Sequence, residues 1–549
     1  MTQSNNRVMV FGMDGATFDI MQPLLDAGRL PNLARLIARG ASGTLDSSVP
    51  ELSPPAWTSF MTGVTPGAHG VNDFFGPVEA GSYETRFFNA SYRRRPPLWS
   101  LLSARGRRSC VLNVPFTFPP DPINGVMVSG MDTPSLESAF VHPSEFREEL
   151  DRVTGGYRLE RVERRLSRRA VGRYARSIEE ITENRFRAAA HLLGRESWDL
   201  FVVVFESTDR AQHNFWKFRD PAHPEYNARD HARYGELVER AYEDLDRRLG
   251  ELLALVPEDV TLCVMSDHGF GPLYKGVRLE HWLAREGYLR RAAAPRAPRP
   301  PALRERLGAL LPGPARRLAR ALLGRRGGDA LPPGLDAFAM AGTQVFPVGG
   351  YGNLVINLQG RQPQGVVPES EYEPLRARLI AALEGLRDPD TGARLIERVW
   401  RREEVYPHCL AQTPDIIIRW SPGYYCVGEQ ELGFLGIRPA PDALTTAHRW
   451  SGNHLPNGVL MLAGPDIVPG AGFDEAAIID VAPTLMALLG EPVPSHMDGR
   501  VLTEALSADF LARHPPRTAD YDLDIGETRP FSEAESACIN ERLKDLGYL

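Results

Sequence analysis

Two short apolar runs in this chain each end in residues able to hold a divalent cation. The first, FVVVFESTDRAQHNFW at 201–216, delivers Asp209 and His213. They are four apart, so on a helix opening just past the apolar run both lie on one face and can grip one ion. The second, TLCVMSDHGFGP at 261–272, delivers Asp267 and His268 as neighbours. Where a chain leaves extended geometry, neighbours need not point to opposite faces, so this pair can share a second ion or bridge toward the first. Taken alone, an Asp-x-x-x-His on a helix reads as a solvated pair and Ser-Asp-His-Gly as a turn. Two such bursts at consecutive strand ends weigh more, because open α/β sheets place ligands at the carboxyl ends of their strands.

Other ends match. The segment 7–13 reads as a strand running directly into Asp14 and Gly15, which adds a carboxylate. In VPELSPPAWTSFMTGVTPGAHG at 49–70, Ser53 precedes two prolines and looks like the N-cap of a helix that stops at Gly63. The plain reading is that Ser53 only caps. The chemical reading is that a hydroxyl at a helix N-terminus faces free backbone N–H groups and the positive dipole end, where an alkoxide and a phosphate are both stabilised. His454 stands in a loop before an apolar run within 451–467. Mixed imidazole and carboxylate donors suit zinc, with manganese or another divalent ion next.

The elements that must position these residues follow from periodicity. The runs at 201 and 261 are too short for buried helices and have polar turn residues at their ends, so they read as buried strands of a parallel sheet. Segments 109–115, 126–130, 352–358 and 415–420 are further strands; 30–40, 229–255 and 371–386 are helices, and 476–489 is an amphipathic helix kinked near Pro483. Segment 161–176 is arginine-rich with interspersed Glu, and with 178–193 it reads as one long solvated helix. Segment 289–328 is packed with Arg, Pro, Ala and Leu and has Glu305 as its only acidic residue. It reads as an insertion, either a surface excursion or a basic element for weak membrane-surface contact. The division that results is 1–288, an insertion at 289–345, 346–506, and a polar tail at 507–549 wrapped on the surface.

Composition limits the possibilities. The 549 residues can bury a sizeable core, and 43% hydrophobic with 24% charged residues is ordinary for a globular protein. A formal charge of −7 argues against general nucleic-acid binding. Five cysteines without CxxC spacing suggest neither a disulfide framework nor a thiolate zinc site. No signal peptide and no stretch of about 18 apolar residues is visible, which makes a cytoplasmic protein without a transmembrane segment the expectation.

The gathered set resembles the alkaline phosphatase superfamily, in particular its type I phosphodiesterase and nucleotide pyrophosphatase branch and bacterial phosphohydrolase relatives. FGMDG resembles the first metal-binding strand end, SPPAWTSFMTGVTPGAHG the nucleophile segment, and DRAQH, SDHG and GNH the remaining ligand motifs; IIDVAPTLMALLG followed by MDGR resembles the closing helix and turn. The resemblance implies an αβα sandwich with a mainly parallel central sheet. It implies one ion held by Asp209, His213 and His454 and a second by Asp14, Asp267, His268 and the Ser53 oxygen. Ser53 would then be the nucleophile of a hydrolase acting on a small phosphoester, passing through a phosphoseryl intermediate. A phosphomutase or a phosphomonoesterase on the same scaffold is the alternative. In the nucleotide pyrophosphatases an Asn beyond the nucleophile segment holds the phosphoryl oxygens. Here Phe74 stands near that position, and Asn72, two residues earlier, is the candidate. His69 is structural by the same resemblance. The absence of basic residues between Thr44 and Pro77 other than His69, together with an apolar wall of Pro54, Pro55, Ala56, Trp57, Phe74 and Phe75, predicts a preference for diesters over monoesters, with Arg449 as the nearest source of a compensating charge.

Overall fold

The structure is a computed structural model that describes residues 6–546, apart from 78, 80, 160–169, 293–334, 429–431, 433–438, 441, 474 and 524. The greater part of the basic insertion, and the first residues of the arginine-rich segment, lie outside the described residues.

An eight-stranded sheet organises the molecule. From edge to edge its strands are Ala41–Asp46, Asn457–Ala463, Thr261–Met265, Val8–Met13, Leu200–Phe205, Ser109–Leu112, Gly125–Val128 and Val141–His142. The central five are parallel, and Asn457–Ala463 and Val141–His142 join them antiparallel. Val8–Met13 is buried along its whole length because both faces are covered. Met9, Phe11 and Met13 enter one core cluster with the helices Phe18–Asp26, Pro31–Arg39, Val171–Arg195 and Leu237–Leu253. Val8 and Val10 enter the cluster on the opposite face, with Trp57, Phe60 and Met61 of the helix Ser53–Thr62 and with Val481–Leu488. The period-two alternation of the strand thus builds an αβα sandwich.

Residues 345–420 build a second, four-stranded antiparallel sheet, Val345–Val348, Asn353–Ile356, Ile416–Trp420 and Ile396–Arg401, which packs with the helix Glu369–Glu384 around a core of its own. The hinge between the two lobes is the long strand Gly269–Val277, which leaves the Asp267–His268 end of the main sheet and pairs antiparallel with Gly452–Leu455.

Several local expectations change. Ser53 is not a cap: Leu52 occupies that position, Ser53 is the first helical residue, and no side-chain capping bond is made. His454 lies in the strand Gly452–Leu455 rather than in a loop. Segment 476–489 is a 3-10 turn, Ile478–Asp480, followed by Val481–Leu488, whose residues are all buried, so it is neither amphipathic nor kinked at Pro483. Pro483 falls in the first turn, where the missing N–H costs nothing. The helix expected at 229–255 is two, Ala228–Tyr234 and Leu237–Leu253. The long helix Val171–Arg195 is not solvated all round but buries Tyr174, Ile178, Ala188 and Leu192. The C-terminal tail ends in a docked helix, Glu533–Leu546, because Ile539, Leu543 and Leu546 form an apolar stripe that joins the second core.

Candidate active site

The site forms at the carboxyl ends of three adjacent central strands. Asp14 follows Val8–Met13, and its backbone N–H donates to the Phe205 carbonyl at 3.0 Å, which ties the end of one strand to the next. Gly15 then turns with φ +68°, and a Cβ there would stand 2.9 Å from the Phe270 ring, so glycine is required both for the backbone angle and for the space. The Gly15 N–H donates to Asp267 Oδ1 at 3.2 Å. Asp209 and His213 lie on the helix Ser207–Arg219, which opens where Leu200–Phe205 ends, and their four-residue spacing places both on the buried face. Asp14, Ser53, Asp209, His213, Asp267 and His268 are each no more than 2% exposed, and His454 is 7% exposed.

The donor atoms gather in two groups, Asp209, His213 and His454, and Asp14, Asp267 and His268, each with its atoms within 4.8 Å of one another. All three imidazoles are oriented the same way. His213 Nδ1–H donates to the Gly452 carbonyl at 2.9 Å, His454 Nδ1–H to the Glu51 carbonyl at 2.8 Å, and His268 Nδ1–H to the Gly269 carbonyl at 3.1 Å. Each ring therefore presents the Nε2 lone pair to the site. The carboxylates are half-used in the same manner: Asp14 Oδ2 accepts from Trp57 Nε1 at 3.1 Å, Asp209 Oδ2 from Arg210 at 2.9 Å, and Asp267 Oδ1 from Gly15. Their other oxygens, Asp14 Oδ1, Asp209 Oδ1 and Asp267 Oδ2, are buried with no hydrogen bond. They stand beside imidazole nitrogens: Asp209 Oδ1 lies 3.2 Å from His213 Nε2 and 3.3 Å from His454 Nε2, Asp267 Oδ2 lies 3.2 Å from His268 Nε2, and Asp14 Oδ1 lies 3.8 Å from the same nitrogen. His213 Nε2 and His454 Nε2 are 3.0 Å apart. Lone pairs and carboxylate oxygens crowded in a dry pocket repel unless cations lie among them, so the residues present fit a pair of divalent ions.

The electrostatics of the two groups differ. Burial, reinforced by Asp267, holds the Asp14 carboxyl well above its usual range, and burial together with the Asp209 charge pushes Asp267 up to about 8. Burial also opposes ionisation of Asp209, but His213 and Arg210 outweigh it and hold that carboxyl low. His213 is lowered to about 4, chiefly by burial. A neutral imidazole and an ionised Asp209 are the states a cation requires, whereas Asp14 and Asp267 must release their protons to bind one.

Ser53 Oγ lies 3.5 Å from His268 Nε2, which places the hydroxyl beside the group of Asp14, Asp267 and His268 and at the N-terminus of its helix. Asn72 bonds neither to Ser53 nor to either group; its Oδ1 is buried without a partner. His69 is fully buried, with Nε2 at 3.0 Å from Ser59 Oγ and Nδ1 accepting the Val71 N–H at 3.2 Å. The expected apolar wall consists of core residues, of which Trp57 also reaches the site through its indole N–H on Asp14. Pro54, Pro55, Ala56 and Trp57 are buried in the sandwich, and Phe74 and Phe75 sit in core contacts at 5% and 6% exposure, because this helix fills the sheet face. Arg449 is engaged elsewhere, donating to the Lys544 carbonyl at 2.7 Å.

Residues that spacing did not single out support the site. Arg210 contacts Asp209, and Thr208 Oγ1 donates to the Asp14 carbonyl at 2.6 Å; both are neighbours of a ligand inside a motif. Trp57 reaches Asp14 through an indole N–H, the polar handle of a residue counted as apolar. Trp450 stacks on His213 with ring centroids 3.9 Å apart, a partner no local pattern announces.

A mostly parallel sheet between helix layers, with a metal-type site at its carboxyl edge, is the fold of the alkaline phosphatase superfamily, and the chain is an enzyme of that class, a phosphodiesterase/phosphatase-type hydrolase. Residues 8–452 match the type I phosphodiesterase/nucleotide pyrophosphatase family, and the chain belongs to that family. Among solved structures it is similar to phosphonoacetate hydrolase from Sinorhizobium meliloti 1021 in complex with phosphonoformate, at 15% identity and a TM-score of 0.53 over 88% of this chain and 95% of that one. The same hydrolase in complex with phosphonoacetate matches with a TM-score of 0.51 at 15% identity, over 88% and 95% of the two chains. Human ectonucleotide pyrophosphatase/phosphodiesterase 5 matches at 12% identity with a TM-score of 0.50, over 92% of this chain and 100% of that one. At these identities the likeness is one of fold. No curated protein matches the chain by sequence.

Proposed function

We propose that this protein is a metal-dependent phosphohydrolase that cleaves phosphodiester or nucleotide pyrophosphate-type bonds through a phosphoseryl intermediate on Ser53. The observation that carries this reading is the set of three buried carboxylate oxygens without hydrogen bonds, facing three Nε2 lone pairs beside a helix-N-terminal serine. Asp209, His213 and His454 would hold one divalent ion and Asp14, Asp267, His268 and Ser53 Oγ the other, zinc being favoured by the donor set over manganese or another divalent ion. Bound there, the two ions would offset the three carboxylates, favour the ionised Ser53 hydroxyl and stabilise the departing oxygen.

The chain's own groups supply the rest. Ser53 Oγ attacks phosphorus in line as the bond to the departing oxygen breaks, and a water then attacks phosphorus and returns Ser53. The positive dipole end of Ser53–Thr62 favours the anionic phosphoryl group at that position, although Pro54 and Pro55 have no N–H to offer and the Ala56 N–H is taken by the Leu52 carbonyl at 2.9 Å. Asn72 would offer its amide N–H to a phosphoryl oxygen. With the apolar wall turned into the core, the preference for diesters rests on family membership rather than on a pocket surface. The substrate would be a small phosphoester. Five scattered cysteines without CxxC spacing suit a reducing, cytoplasmic setting, and among the described residues no helix is long and apolar enough to cross a membrane.

The decisive experiment compares kcat/KM for a p-nitrophenyl phosphodiester and for p-nitrophenyl phosphate on one zinc-loaded preparation, with and without chelator. Diester turnover that exceeds monoester turnover and disappears with chelator is the expected result. A clear monoester preference overturns the diester assignment, and chelator-insensitive turnover overturns the metal dependence.

A further inference from the structure

One turn of the second lobe touches both loops that bring chemistry to the site. Gly349, Gly350 and Tyr351 lie between the strands Val345–Val348 and Asn353–Ile356. On one side, Asp73 Oδ2 accepts the Gly350 N–H at 2.9 Å and the Tyr351 N–H at 3.3 Å, while Asp73 Oδ1 accepts the Phe74 N–H at 2.6 Å. Gly349 has φ +71°, and a Cβ there would lie 2.4 Å from Asp73 Oδ2, so the approach is as close as the chain allows. Asp73 is the neighbour of Asn72. On the other side, the Tyr351 hydroxyl donates to Glu51 Oε2 at 2.6 Å, and Arg419 Nε stands 2.5 Å from Glu51 Oε1. Glu51 is two residues before Ser53, and its own carbonyl receives the His454 Nδ1–H at 2.8 Å. Tyr351, Glu51 and Asp73 are all buried.

We propose that this turn is the device that sets the nucleophile, Asn72 and one metal ligand against one another, with Tyr351 and Asp73 as positioning residues that touch no substrate. The inference rests on the hydrolase reading above. Its physical basis is that Tyr351 is fastened at both ends, by its N–H to the Asn72 loop and by its hydroxyl to the Ser53 loop. The second lobe thereby holds two main-sheet loops at a fixed separation. A histidine ligand whose Nδ1 partner is itself anchored keeps its Nε2 aimed, and loss of such an outer partner typically weakens metal binding about 10–100-fold. Loops left to their own entropy would hold the same groups more loosely.

The test compares Tyr351→Phe with Tyr372→Phe. Tyr372 makes a half-buried hydroxyl-to-carboxylate bond within the second lobe, to Asp415 Oδ1 at 2.8 Å, and no hydrogen bond to the Ser53 or Asn72 loop. Zinc affinity of each chain is measured by calorimetry, kcat and KM on the p-nitrophenyl phosphodiester, and stability by thermal unfolding. With similar losses of melting temperature in the two variants, Tyr351→Phe should weaken one of the zinc sites about tenfold or more and lower kcat with KM little changed, while Tyr372→Phe changes neither. Arg419→Lys loosens Glu51 from the opposite side and should shift zinc affinity in the same direction, which keeps the inference testable if Tyr351→Phe does not fold. If wild type binds zinc and turns over but Tyr351→Phe and Tyr372→Phe are indistinguishable in zinc affinity and kcat, the inference fails while the hydrolase reading stands. Wild type that takes up no zinc overturns both.

Discussion

The two carboxylate and imidazole groups are built from the same residue types and differ in how their charge is balanced. Asp14 and Asp267 face each other with His268 between them, and both carboxyls are raised above their usual range by burial and by neighbouring negative charge. Asp209 shares its group with two histidines and lies against the Arg210 guanidinium, 2.9 Å away, which with His213 holds it ionised. A cation entering the first group replaces protons on two carboxyls held above their usual range, whereas one entering the second meets a single carboxylate partly offset already. Donor count alone would rate the two sites as equals. Charge balance in a dry pocket predicts that the first is the tighter and the more proton-coupled.

The largest expected effect falls on the serine that belongs to the first group. Ser53→Ala should lower kcat by about a thousandfold or more, because no other hydroxyl stands at that helix N-terminus. Zinc content should stay near two ions per chain, as for two-metal sites generally. Turnover close to wild type would move the nucleophile and dissolve the link between Ser53 and the first group.

Next in size, Asp267→Asn should lose zinc affinity at one site by roughly 100-fold, and more than Asp209→Asn does at the other, since the first group depends on a second negative charge. Calorimetric titration of the metal-free variants compares them directly. Equal losses would mean that Arg210 does not offset Asp209.

A smaller effect separates the groups by their protons. Raised carboxyl pKa values mean that the metal-free folded protein holds protons on the first group near neutral pH, so zinc uptake at pH 7 should release roughly one proton or more, chiefly from that group. Titrations in buffers of different ionisation enthalpy count the protons, and Asp267→Asn should reduce the count. A count unaffected by Asp267→Asn would break the comparison.

The smallest expected effect lies outside both groups and separates site chemistry from global stability. Burial lowers His69 to about 3, and burial with Arg449 lowers His448 to about 3. Both bind fewer protons folded than unfolded, so the stability they contribute is complete above about pH 6.5 and is lost as pH falls toward 3. The raised carboxyls of Asp14 and Asp267 gain stability over the same fall in pH, so the effect is read as a difference: on metal-free proteins, the gap in melting temperature between wild type and His69→Gln should hold steady above about pH 6.5 and move in favour of His69→Gln as pH falls below it. A gap that is unchanged from pH 7 to pH 5 would contradict it.

Much of the site was legible because its signals are local. The four-residue spacing of Asp209 and His213 carries its meaning on any helix, and the apolar runs ending in Asp14 and Asp267 mark strand ends without reference to the rest of the chain. What misled was the reading of the apolar neighbours. Pro54 to Trp57 looked like a surface for an ester group and proved to be core, because the helix that carries Ser53 packs against a sheet face whose size no local pattern reveals. The tail looked polar, yet Ile539, Leu543 and Leu546 line up once wound into a helix and find the second core. The partners of the ligands were invisible for a related reason. Trp450 is far along the chain from the His213 ring on which it stacks, Glu51 from the His454 ring that it holds, and Tyr351 from Glu51, so each pairing is invisible locally.

The sequence by itself determined which donors exist, which strand ends carry them, and that they suit a pair of cations, since strand, turn and helix-face geometry follow from nearest neighbours along the chain. Only the tertiary structure decided which oxygen of each carboxylate is left unpaired, which nitrogen of each imidazole faces inward, and which lobe holds the loops in place. Those choices depend on hydrogen-bond partners such as the carbonyls of Gly452 and Glu51, which lie within 3 Å of rings more than 200 residues away in the chain and meet them only in the folded protein.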